Sequence, residues 1–460
     1  MSKYDVVIIG SGPGGYVAAL RASQLGMKTA IIERENIGGV CLNWGCIPSK
    51  SLLKNAEVLT TLRKADTFGI SFDNMKYDLG KAMDRSREVS GRLTRGVEFL
   101  LKRGKVDVIM GEGVIQDVGK VKVNPDGDTL EADNIIIATG ARPRLLPGVE
   151  FDGEVIISSY DALKLREVPE RFIVVGGGAI GVEFAYFYNT YGSNVSVIEL
   201  LPHILPNEDP EISTILEKSL SNEGIELLPG CPVQEIKRNK DKGLVRFSSP
   251  NGERVIEGDK ILMSIGVAGN SQNIGLEQVG VEIERGFVLI DEKMSTNIEG
   301  IYAIGDVTGA PLLAHVASAQ GIIAIETIAG EETTPLSYVD MPRATYCHPQ
   351  VASLGLTELQ AKEMGYKVKV GKFPFVGSGK AIALDDSEGL IKFVVDEEYD
   401  ELLGAHLIGP EVSELLAEIC VAKKLEYSAA DIAHTVHAHP TLSESIMEAA
   451  LAAGEGAIHI

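Results

Sequence analysis

Residues 5–33 read DVVIIGSGPGGYVAALRASQLGMKTAIIE and contain the pattern that decides the fold. An apolar strand is followed by a glycine turn, an Ala- and Leu-rich helix and a second apolar strand. Gly10, Gly12 and Gly15 occupy a G-x-G-x-x-G motif, and Glu33 follows roughly 20 residues later, where a carboxylate can accept hydrogen bonds from ribose hydroxyls. The segment therefore predicts a βαβ unit that binds a dinucleotide.

A second copy of this plan lies at residues 171–199, RFIVVGGGAIGVEFAYFYNTYGSNVSVIE. Gly176, Gly178, Gly181 and Glu199 keep the spacing of the first unit. One such motif alone is weak, since a glycine turn can serve packing only, but two copies with strand, helix and acid in register predict two dinucleotide sites. The acid of the second unit would repel a 2′-phosphate and no arginine follows it nearby, which favours NAD over NADP.

The composition bounds the class of protein. A chain of 460 residues is long enough for roughly three or four domains. The formal net charge is −22 and no lysine- or arginine-rich block interrupts the acidic background, so nucleic acid is not an expected partner. No apolar run reaches the roughly 18 residues of a membrane span, and we expect a cytoplasmic or organelle-matrix enzyme.

Cysteine usage indicates a reducing compartment and one reactive pair. The five cysteines are an odd number scattered through a long chain, unlike a secreted disulfide framework.

Cys41 and Cys46 form a C-x4-C loop in GGVCLNWGCIPSK, and Pro48 suits the first turn of a following helix. The positive end of that helix and Lys50 would stabilise a thiolate at Cys46. Two packed thiols are the alternative. No second ligand pair follows, so no metal site is predicted. Cys231, Cys347 and Cys420 are interpreted as structural.

Two further segments are weaker signals. ADNIIIATGARPRLLPG closes an apolar strand on Thr139 and Gly140, and GIYAIGDV places Asp306 just after another strand. By itself Asp306 could simply cap the stretch that follows it.

Taken together, the motifs GSGPGG, GGVCLNWGCIPSK, ATGARP, GGGAIGVE, AIGDV and HAHPTLSE resemble the pyridine nucleotide–disulfide oxidoreductases over essentially the whole chain. Among them, the sequence looks most like the members that oxidise dihydrolipoyl groups. The resemblance implies an α/β fold with two Rossmann-like dinucleotide-binding domains, a central segment and an α+β C-terminal dimerisation domain. The implied boundaries are 1–142 for the FAD domain, 143–269 for the NAD domain, 270–340 for the central domain and 341–460 for the interface domain.

The resemblance also assigns cofactor-binding residues. Those implied for FAD are Gly10, Gly12, Gly15, Glu33, Gly113, Thr139, Gly140, Asp306 and Ala314. Those implied for NAD are Gly176, Gly178, Gly181, Glu199, Val233 and Gly266. Lys50 is expected beside the reactive nitrogen of the flavin, paired with Glu183.

The implied catalytic residues are Cys41, Cys46, His439 and Glu444. By resemblance the two cysteines form the redox-active disulfide, with Cys41 exchanging thiols with the substrate and Cys46 facing the flavin. His439 is the expected base because it alone carries the HPT-x-x-E context, in which Glu444 fixes the imidazole tautomer. His434 and His437 are interpreted as structural.

The resemblance implies a homodimer in which His439 faces the disulfide of the other subunit. The implied reaction oxidises protein-bound dihydrolipoyl groups and reduces NAD. The lipoyl group is expected on a separate chain of a 2-oxo acid dehydrogenase complex or glycine cleavage system.

Departures from the family pattern are modest and alternatives remain. Trp44 stands at a variable position of the redox loop, Leu312 stands where the family often has a methionine, and SIGVAGN lacks an arginine that the family often has after its glycine.

A glutathione-type reductase is the nearest alternative function, although Glu199 and Gly181 argue against the NADP that such an enzyme uses. Mercuric reductase would need a C-terminal cysteine pair, and a single-cysteine NADH oxidase would leave one of the two thiols idle. A non-catalytic flavin-binding subunit is the alternative from another class.

Overall fold

The first dinucleotide unit forms the middle of a seven-stranded sheet in the computed structural model, which describes residues 3–309 and 311–460. Strand β1 (Lys3–Ile9), helix α1 (Pro13–Gln24) and strand β2 (Thr29–Glu33) build the βαβ unit, and β1 and β2 are parallel. The elements that follow are α2 (Gly39–Trp44), α3 (Cys46–Arg63), a 3₁₀ turn (Ala65–Phe68), α4 (Leu79–Arg103), β3 (Asp107–Met110), β4 (Glu112–Asp117), β5 (Lys120–Asn124) and β6 (Thr129–Ile137). The strand order β3-β2-β1-β6-β5-β4 places the glycine turn at the carboxyl end of the central strand, which is the usual ligand edge of a doubly wound sheet.

The second unit builds a separate five-stranded sheet. Its elements in chain order are β7 (Ala141–Pro143), β8 (Ile156–Ile157), α5 (Ser159–Ala162), β9 (Arg171–Val175), α6 (Ala179–Thr190), β10 (Asn194–Ile198), α7 (Pro210–Asn222), β11 (Glu226–Leu228), β12 (Val233–Asn239), β13 (Lys242–Ser249), β14 (Gly252–Gly258), β15 (Lys260–Met263) and β16 (Val267–Gly269). The parallel order is β11-β10-β9-β15-β8, and β12, β13 and β14 form an antiparallel sheet of their own. The short antiparallel pair β7–β16 joins the segments that enter and leave this part of the chain.

The chain then returns to the first sheet. This stretch contains α8 (Leu276–Val279), β17 (Ile283–Glu284), β18 (Phe287–Val288), β19 (Ile301–Ala303), a 3₁₀ turn (Gly305–Thr308) and α9 (Ala314–Ile328). Strand β19 pairs in parallel with β6. Helix α9 packs on α1 at close range, because a Cβ on Gly321 would lie 2.7 Å from the carbonyl oxygen of Gly14. Asp306 is thereby carried to the edge where the first glycine turn lies.

The last part is an antiparallel sheet with helices. Its elements are β20 (Arg343–Thr345), β21 (Gln350–Gly355), α10 (Glu358–Glu363), β22 (Val368–Pro374), a 3₁₀ turn (Phe375–Gly377), α11 (Gly379–Ala383), β23 (Leu390–Asp396), β24 (Leu402–Gly409), α12 (Val412–Lys424), α13 (Ala429–Ala433) and α14 (Glu444–Ala453). The strand order is β20-β21-β24-β23-β22. Every residue of β24 is buried, and α14 packs on β22 and β23. The alternation of strands and helices predicted for this region is present.

Two observations concern the surface. Of the helices that the structure describes, none combines the length and the apolar character that a membrane span requires. The expectation of an unbroken acidic background is wrong at α4, whose sequence LGKAMDRSREVSGRLTRGVEFLLKR contains seven basic and three acidic residues. The overall charge hid this local excess because acidic residues dominate the rest of the chain.

Candidate active site

The first glycine turn leaves open space in front of helix α1. Gly10 has φ +104°, and a Cβ there would lie 2.2 Å from the carbonyl oxygen of Ala138, so only glycine fits. A Cβ on Gly15 would lie 1.9 Å from the carbonyl oxygen of Gly10, which explains the third glycine as close helix–strand packing. Around Gly12, at the N-cap of α1, nothing lies within 4 Å of an ideal Cβ. The backbone N–H groups of α1 therefore face a space that suits a pyrophosphate.

The acidic residue of the first unit is held beside that turn. Glu33 is buried, and its Oε2 accepts hydrogen bonds from the backbone N–H and the hydroxyl of Ser11, at 3.0 and 2.6 Å. Its Oε1 accepts from the backbone N–H of Glu35 at 2.8 Å. Each carboxylate oxygen has more than one acceptor site, so capacity for a ribose hydroxyl remains.

The second unit repeats this geometry. Gly176 has φ +107°, and a Cβ on Gly181 would lie 2.0 Å from the carbonyl oxygen of Gly176. Nothing lies within 4 Å of a Cβ on Gly178. Buried Glu199 accepts from the N–H of Gly177 at 2.5 Å and from the N–H of Leu201 at 2.7 Å. The two glycine turns therefore hold their acids through the same backbone contacts.

The two residues that follow Glu199 offer no positive charge to a 2′-phosphate. Leu200 and Leu201, which follow it, are exposed and apolar. Gly230 and Cys231 donate backbone hydrogen bonds to the carbonyl oxygens of Leu201 and Glu199, which places Val233 at the start of the neighbouring strand β12. Gly266, at φ +94°, follows Ser264, whose hydroxyl bonds to the carbonyl oxygen of Gly176. These contacts bring the predicted NAD residues to one strand edge.

The remaining residues predicted for FAD converge on the first sheet. Thr139 and Gly140 follow β6, and Thr139 exchanges two hydrogen bonds with Asn270, at 2.8 and 2.9 Å. Gly113 lies on β4, where a Cβ would contact Ile9. Ala314 is the first residue of α9.

Asp306 does not cap a helix. Its carboxylate accepts no hydrogen bond within the part of the chain that the structure describes, and burial raises its pKa. A largely buried acid that has no partner among the described residues can accept a hydrogen bond from a hydroxyl group of FAD.

The two cysteines that are predicted to be reactive lie on consecutive helices rather than in the loop that the sequence predicts. Cys41 is in α2, and Cys46 is the first residue of α3. Gly38 and Gly39 have positive φ, which allows the chain to turn into α2, and Gly45 breaks the helix between the cysteines. The helix start at Cys46 was predicted from Pro48.

The environment favours a thiolate at Cys46 and a thiol at Cys41. The hydrogen bond from Cys41, together with the charge of Lys50, lowers the pKa of Cys46 to about 7 against the opposing effect of burial. The same hydrogen bond and burial raise the pKa of Cys41 far above its usual range. The pair is therefore asymmetric, with the negative charge on the residue at the helix N-terminus.

An ion pair between Lys50 and Glu183 lies close enough to Cys46 for the Lys50 charge to lower its pKa. Lys50 Nζ donates to both carboxylate oxygens of Glu183 at 2.9 Å, which links α3 to α6 of the second unit. Although burial opposes the ammonium form, Glu183 keeps the pKa of Lys50 above its usual value. Sequence reasoning missed Tyr346, whose backbone N–H donates to Glu183 at 3.0 Å and whose ring centroid lies 4.5 Å from Lys50 Nζ. No local signal could have identified it, because the contact spans most of the chain.

The tryptophan between the cysteines is held by two cations that the sequence did not indicate. The guanidinium of Arg87 and the ammonium of Lys164 each lie 4.7 Å from the Trp44 ring centroid. Arg87 also donates to the carbonyl oxygen of Asn43, so α4 fixes the end of α2. The departure at Trp44 is thus accommodated by cation–π contacts.

The predicted base is brought to its acid but not to the cysteines. His439 Nδ1 lies 2.9 Å from Glu444 Oε1, and Glu444 Oε2 accepts from the N–H of Thr441 at 2.8 Å. The side chain of His439 is 80% exposed, so its second nitrogen faces outward. No hydrogen bond joins it to Cys41 or Cys46 among residues 3–309 and 311–460. Helix α14 packs on the last sheet, whereas α2 packs on α3 and α4.

His437 has a different environment. Its Nε2 lies 2.6 Å from Glu418 Oε1 and its Nδ1 lies 2.8 Å from the carbonyl oxygen of Thr435. With both ring nitrogens engaged and a nearly buried side chain, it holds the chain against α12 and has no free nitrogen for a substrate.

Comparison with protein families gives two matches. Residues 4–321 match the family model described as pyridine nucleotide-disulphide oxidoreductase. Residues 341–450 match the dimerisation domain of the same family.

Relatives of similar length are named dihydrolipoyl dehydrogenase. The protein of Mycobacterium leprae is 48% identical, with 97% of each chain covered. That of Rhizobium etli is 46% identical over 98% of each chain, and that of Bacillus subtilis is 44% identical over 100% of this chain and 99% of its own. The chain is thus similar to them from end to end.

Two solved structures share the architecture. LpdA from Mycobacterium tuberculosis superposes with a TM-score of 0.89 at 31% identity, covering 98% of this chain and 99% of that one. The HOCl-induced flavoprotein disulfide reductase RclA from Escherichia coli gives a TM-score of 0.87 at 26% identity, with the same coverage.

Proposed function

Because the chain belongs to the pyridine nucleotide-disulphide oxidoreductase family, we propose that it catalyses the reaction for which its relatives are named, the oxidation of dihydrolipoyl groups with NAD. The observation that carries the proposal is the asymmetric pair Cys41–Cys46 backed by the Lys50–Glu183 ion pair. A flavin-binding subunit without catalysis would have no need of a lowered pKa at one thiol of such a pair.

The first chemical step is thiol–disulfide exchange at Cys41. A dihydrolipoyl thiol gives its proton to His439 and attacks Cys41 Sγ of the oxidised pair. A mixed disulfide forms with Cys41, the Cys41–Cys46 bond breaks, and Cys46 leaves as a thiolate stabilised by Lys50 and the α3 N-terminus. The charge of Lys50, which lowers the pKa of Cys46, is present in this step as well and makes Cys46 the better leaving group.

The second substrate thiol completes the exchange. It attacks the substrate sulfur of the mixed disulfide, the bond from that sulfur to Cys41 breaks, and the proton of the second thiol passes to Cys41. The substrate leaves oxidised, His439 stays protonated, and the two electrons remain on the pair as a Cys41 thiol and a Cys46 thiolate. Bound FAD would supply the two-electron carrier between the cysteine pair and NAD. Gly10, Gly12, Gly15, Glu33 and Asp306 would hold FAD, and Gly176, Gly178, Gly181 and Glu199 would hold NAD.

The working enzyme in this proposal is a homodimer. The match of residues 341–450 to a dimerisation domain and the outward-facing His439 support it. His439 and Glu444 of one chain serve the cysteines of the other, so each site needs two chains. We also propose that the domain boundaries lie at residues 142, 269 and 340. The proposed location is the cytoplasm or an organelle matrix.

The physiological substrate would be a lipoyl-bearing protein of a 2-oxo acid dehydrogenase complex or glycine cleavage system. The support for this partner is the name of the relatives, because free dithiols and protein-bound dithiols present the same reacting atoms to Cys41.

The direct test is NADH formation from free dihydrolipoamide by the purified FAD-loaded protein. We expect steady turnover with NAD, and none with the Cys41→Ser variant. Reduction of glutathione disulfide by NADPH, without dihydrolipoamide oxidation, would instead identify a glutathione-type reductase.

A further inference from the structure

Helix α4 presents positive charge on a molecule that is otherwise strongly acidic. Arg92, Arg95, Phe99, Lys102 and Arg103 recur at helical spacing and form one exposed surface, here named the α4 stripe. Its opposite face is the buried one that includes Val97 and Leu101. None of the four cations has an acidic partner at ion-pair distance among the described residues, and exposed Glu98 is the one acidic residue of α4 between Arg92 and Arg103.

The stripe also contains an apolar anchor. Phe99 is 62% exposed, and Leu93 and Leu100 flank it with more than a third of their surface exposed. An exposed aromatic side chain among unpaired cations is the composition of a protein docking surface, where the aromatic ring supplies contact area and the charges select the partner.

The stripe lies next to the redox centre. On an adjoining face of α4, Arg87 contacts Asn43 and Trp44, and the Thr94 hydroxyl donates to Asn43 Oδ1 at 3.3 Å. Thr94 lies between Arg92 and Arg95 in sequence, so the stripe begins on the turn of α4 that contacts α2 and then runs away from it toward Arg103. A partner seated on Arg92 and Arg95 would therefore lie on the helix that packs against the one carrying Cys41.

We propose that the α4 stripe docks the acidic protein that carries the dihydrolipoyl group. This inference rests on the proposed function. The molecule as a whole has a net charge of −22 and would repel an acidic carrier, so an unpaired cationic row on the helix that packs against α2 both attracts the carrier and orients it. Free dihydrolipoamide is uncharged and would gain nothing from the stripe.

The test compares three dithiols with the FAD-loaded holoenzyme: free dihydrolipoamide, a dihydrolipoyl-lysine peptide flanked by glutamates, and the same peptide flanked by glutamines. The variant is Arg92→Glu/Arg95→Glu, two exposed mid-helix positions. The matched control is Lys218→Glu/Lys293→Glu, which makes the same charge change at exposed lysines away from α4.

We expect the wild type to prefer the glutamate peptide over the glutamine peptide by about tenfold in kcat/KM at low salt, with the preference falling as salt rises. Arg92→Glu/Arg95→Glu should abolish that preference and change kcat/KM for free dihydrolipoamide by less than about twofold. The Lys218→Glu/Lys293→Glu control should retain at least half of the preference.

Three results would overturn the proposal. The first is equal turnover of both peptides by the wild type. The second is an equal loss with all three substrates in Arg92→Glu/Arg95→Glu, which would place the arginines in the substrate channel itself. The third is conversion of this variant to a monomer in sedimentation, which would make the stripe an interface between copies of the chain. Failure of the proposed function would appear separately, as a wild type that does not turn over free dihydrolipoamide.

Discussion

Cys46 and Cys41 differ in their surroundings more than in their position, and this difference assigns them separate roles. Cys46 at the start of α3 has its pKa lowered to about 7, whereas that of Cys41 is raised. The residue that holds the negative charge is the one suited to face the flavin, and the neutral one is suited to exchange with substrate.

This assignment predicts opposite spectra for two serine variants. A thiolate against a flavin gives a long-wavelength absorption band, so Cys41→Ser should show the band permanently and Cys46→Ser should lack it even after addition of one equivalent of dithiol. Absorption spectra of the FAD-loaded proteins provide the measurement. Loss of the band in both variants would refute the roles given to the two cysteines.

Because the charge of Lys50 lowers the pKa of Cys46, we expect the intensity of the long-wavelength band in the reduced enzyme to depend on pH. The thiolate exists above the pKa of Cys46, so the band should grow in with a midpoint near pH 7 as pH rises. In Lys50→Met the hydrogen bond from Cys41 remains but the positive charge is gone, and the midpoint should move upward by about one pH unit or more. An unchanged midpoint would show that Lys50 does not act on Cys46. Lys54→Met, on the exposed side of α3, serves as the control.

Glu199 predicts the nucleotide preference. A carboxylate buried against the second glycine turn and followed by Leu200 and Leu201 offers a 2′-phosphate only repulsion, and like charges in contact cost several kcal/mol. We expect kcat/KM with NAD to exceed that with NADP by at least about 100-fold, and Glu199→Gln to narrow the ratio while the hydrogen bond from Gly177 persists. Comparable efficiencies with the two nucleotides in the wild type would contradict this.

At the scale of elements, the contact between β22 and α14 determines where Glu444 lies. Gly371 is the point of closest approach, because a Cβ there would lie 2.1 Å from the carbonyl oxygen of Ala449 and 2.5 Å from the backbone nitrogen of Ala453. Helix α14 begins at Glu444, so any displacement of the helix moves the acid that orients His439.

Gly371→Ala should therefore cost stability and activity together. Overpacking of this kind typically costs about 1–3 kcal/mol, so the thermal midpoint should fall by several degrees and dihydrolipoamide turnover should fall with it. Gly379→Ala is the matched control, since nothing lies within 4 Å of a Cβ there. Identical melting curves for the two variants would mean that β22 and α14 are not packed as described.

The elements also show what the sequence could and could not predict. The two glycine turns with Glu33 and Glu199, the helix start at Cys46 and the strands around residues 390–409 follow from local patterns, and the structure has them. The helix at Cys41 was not predicted, because its start depends on positive φ at two glycines. The contacts of Tyr346 with Lys50 and of Arg87 with Trp44 join residues far apart in sequence, which periodicity and motif spacing do not encode.

At the scale of the whole molecule, one chain does not assemble the proposed site. The cysteines lie between α2 and α3, near the first sheet, and His439 projects from the turn before α14 on the last sheet. Proton transfer by a placed base requires hydrogen-bond reach, typically about 2.6–3.2 Å. In the proposed homodimer, a second chain brings the two halves together.

Heterodimers test that claim most directly. His439→Gln should lose most dihydrolipoamide turnover, by about 10²- to 10⁴-fold, and Cys41→Ser should also be inactive with the dithiol, each as a homodimer. In a heterodimer purified with two different tags, one site keeps Cys41 of the first chain and receives His439 of the second. We expect such heterodimers to recover about half of the wild-type turnover, since one of two sites is intact. Turnover no higher than that of the two parent homodimers would contradict a site shared between chains.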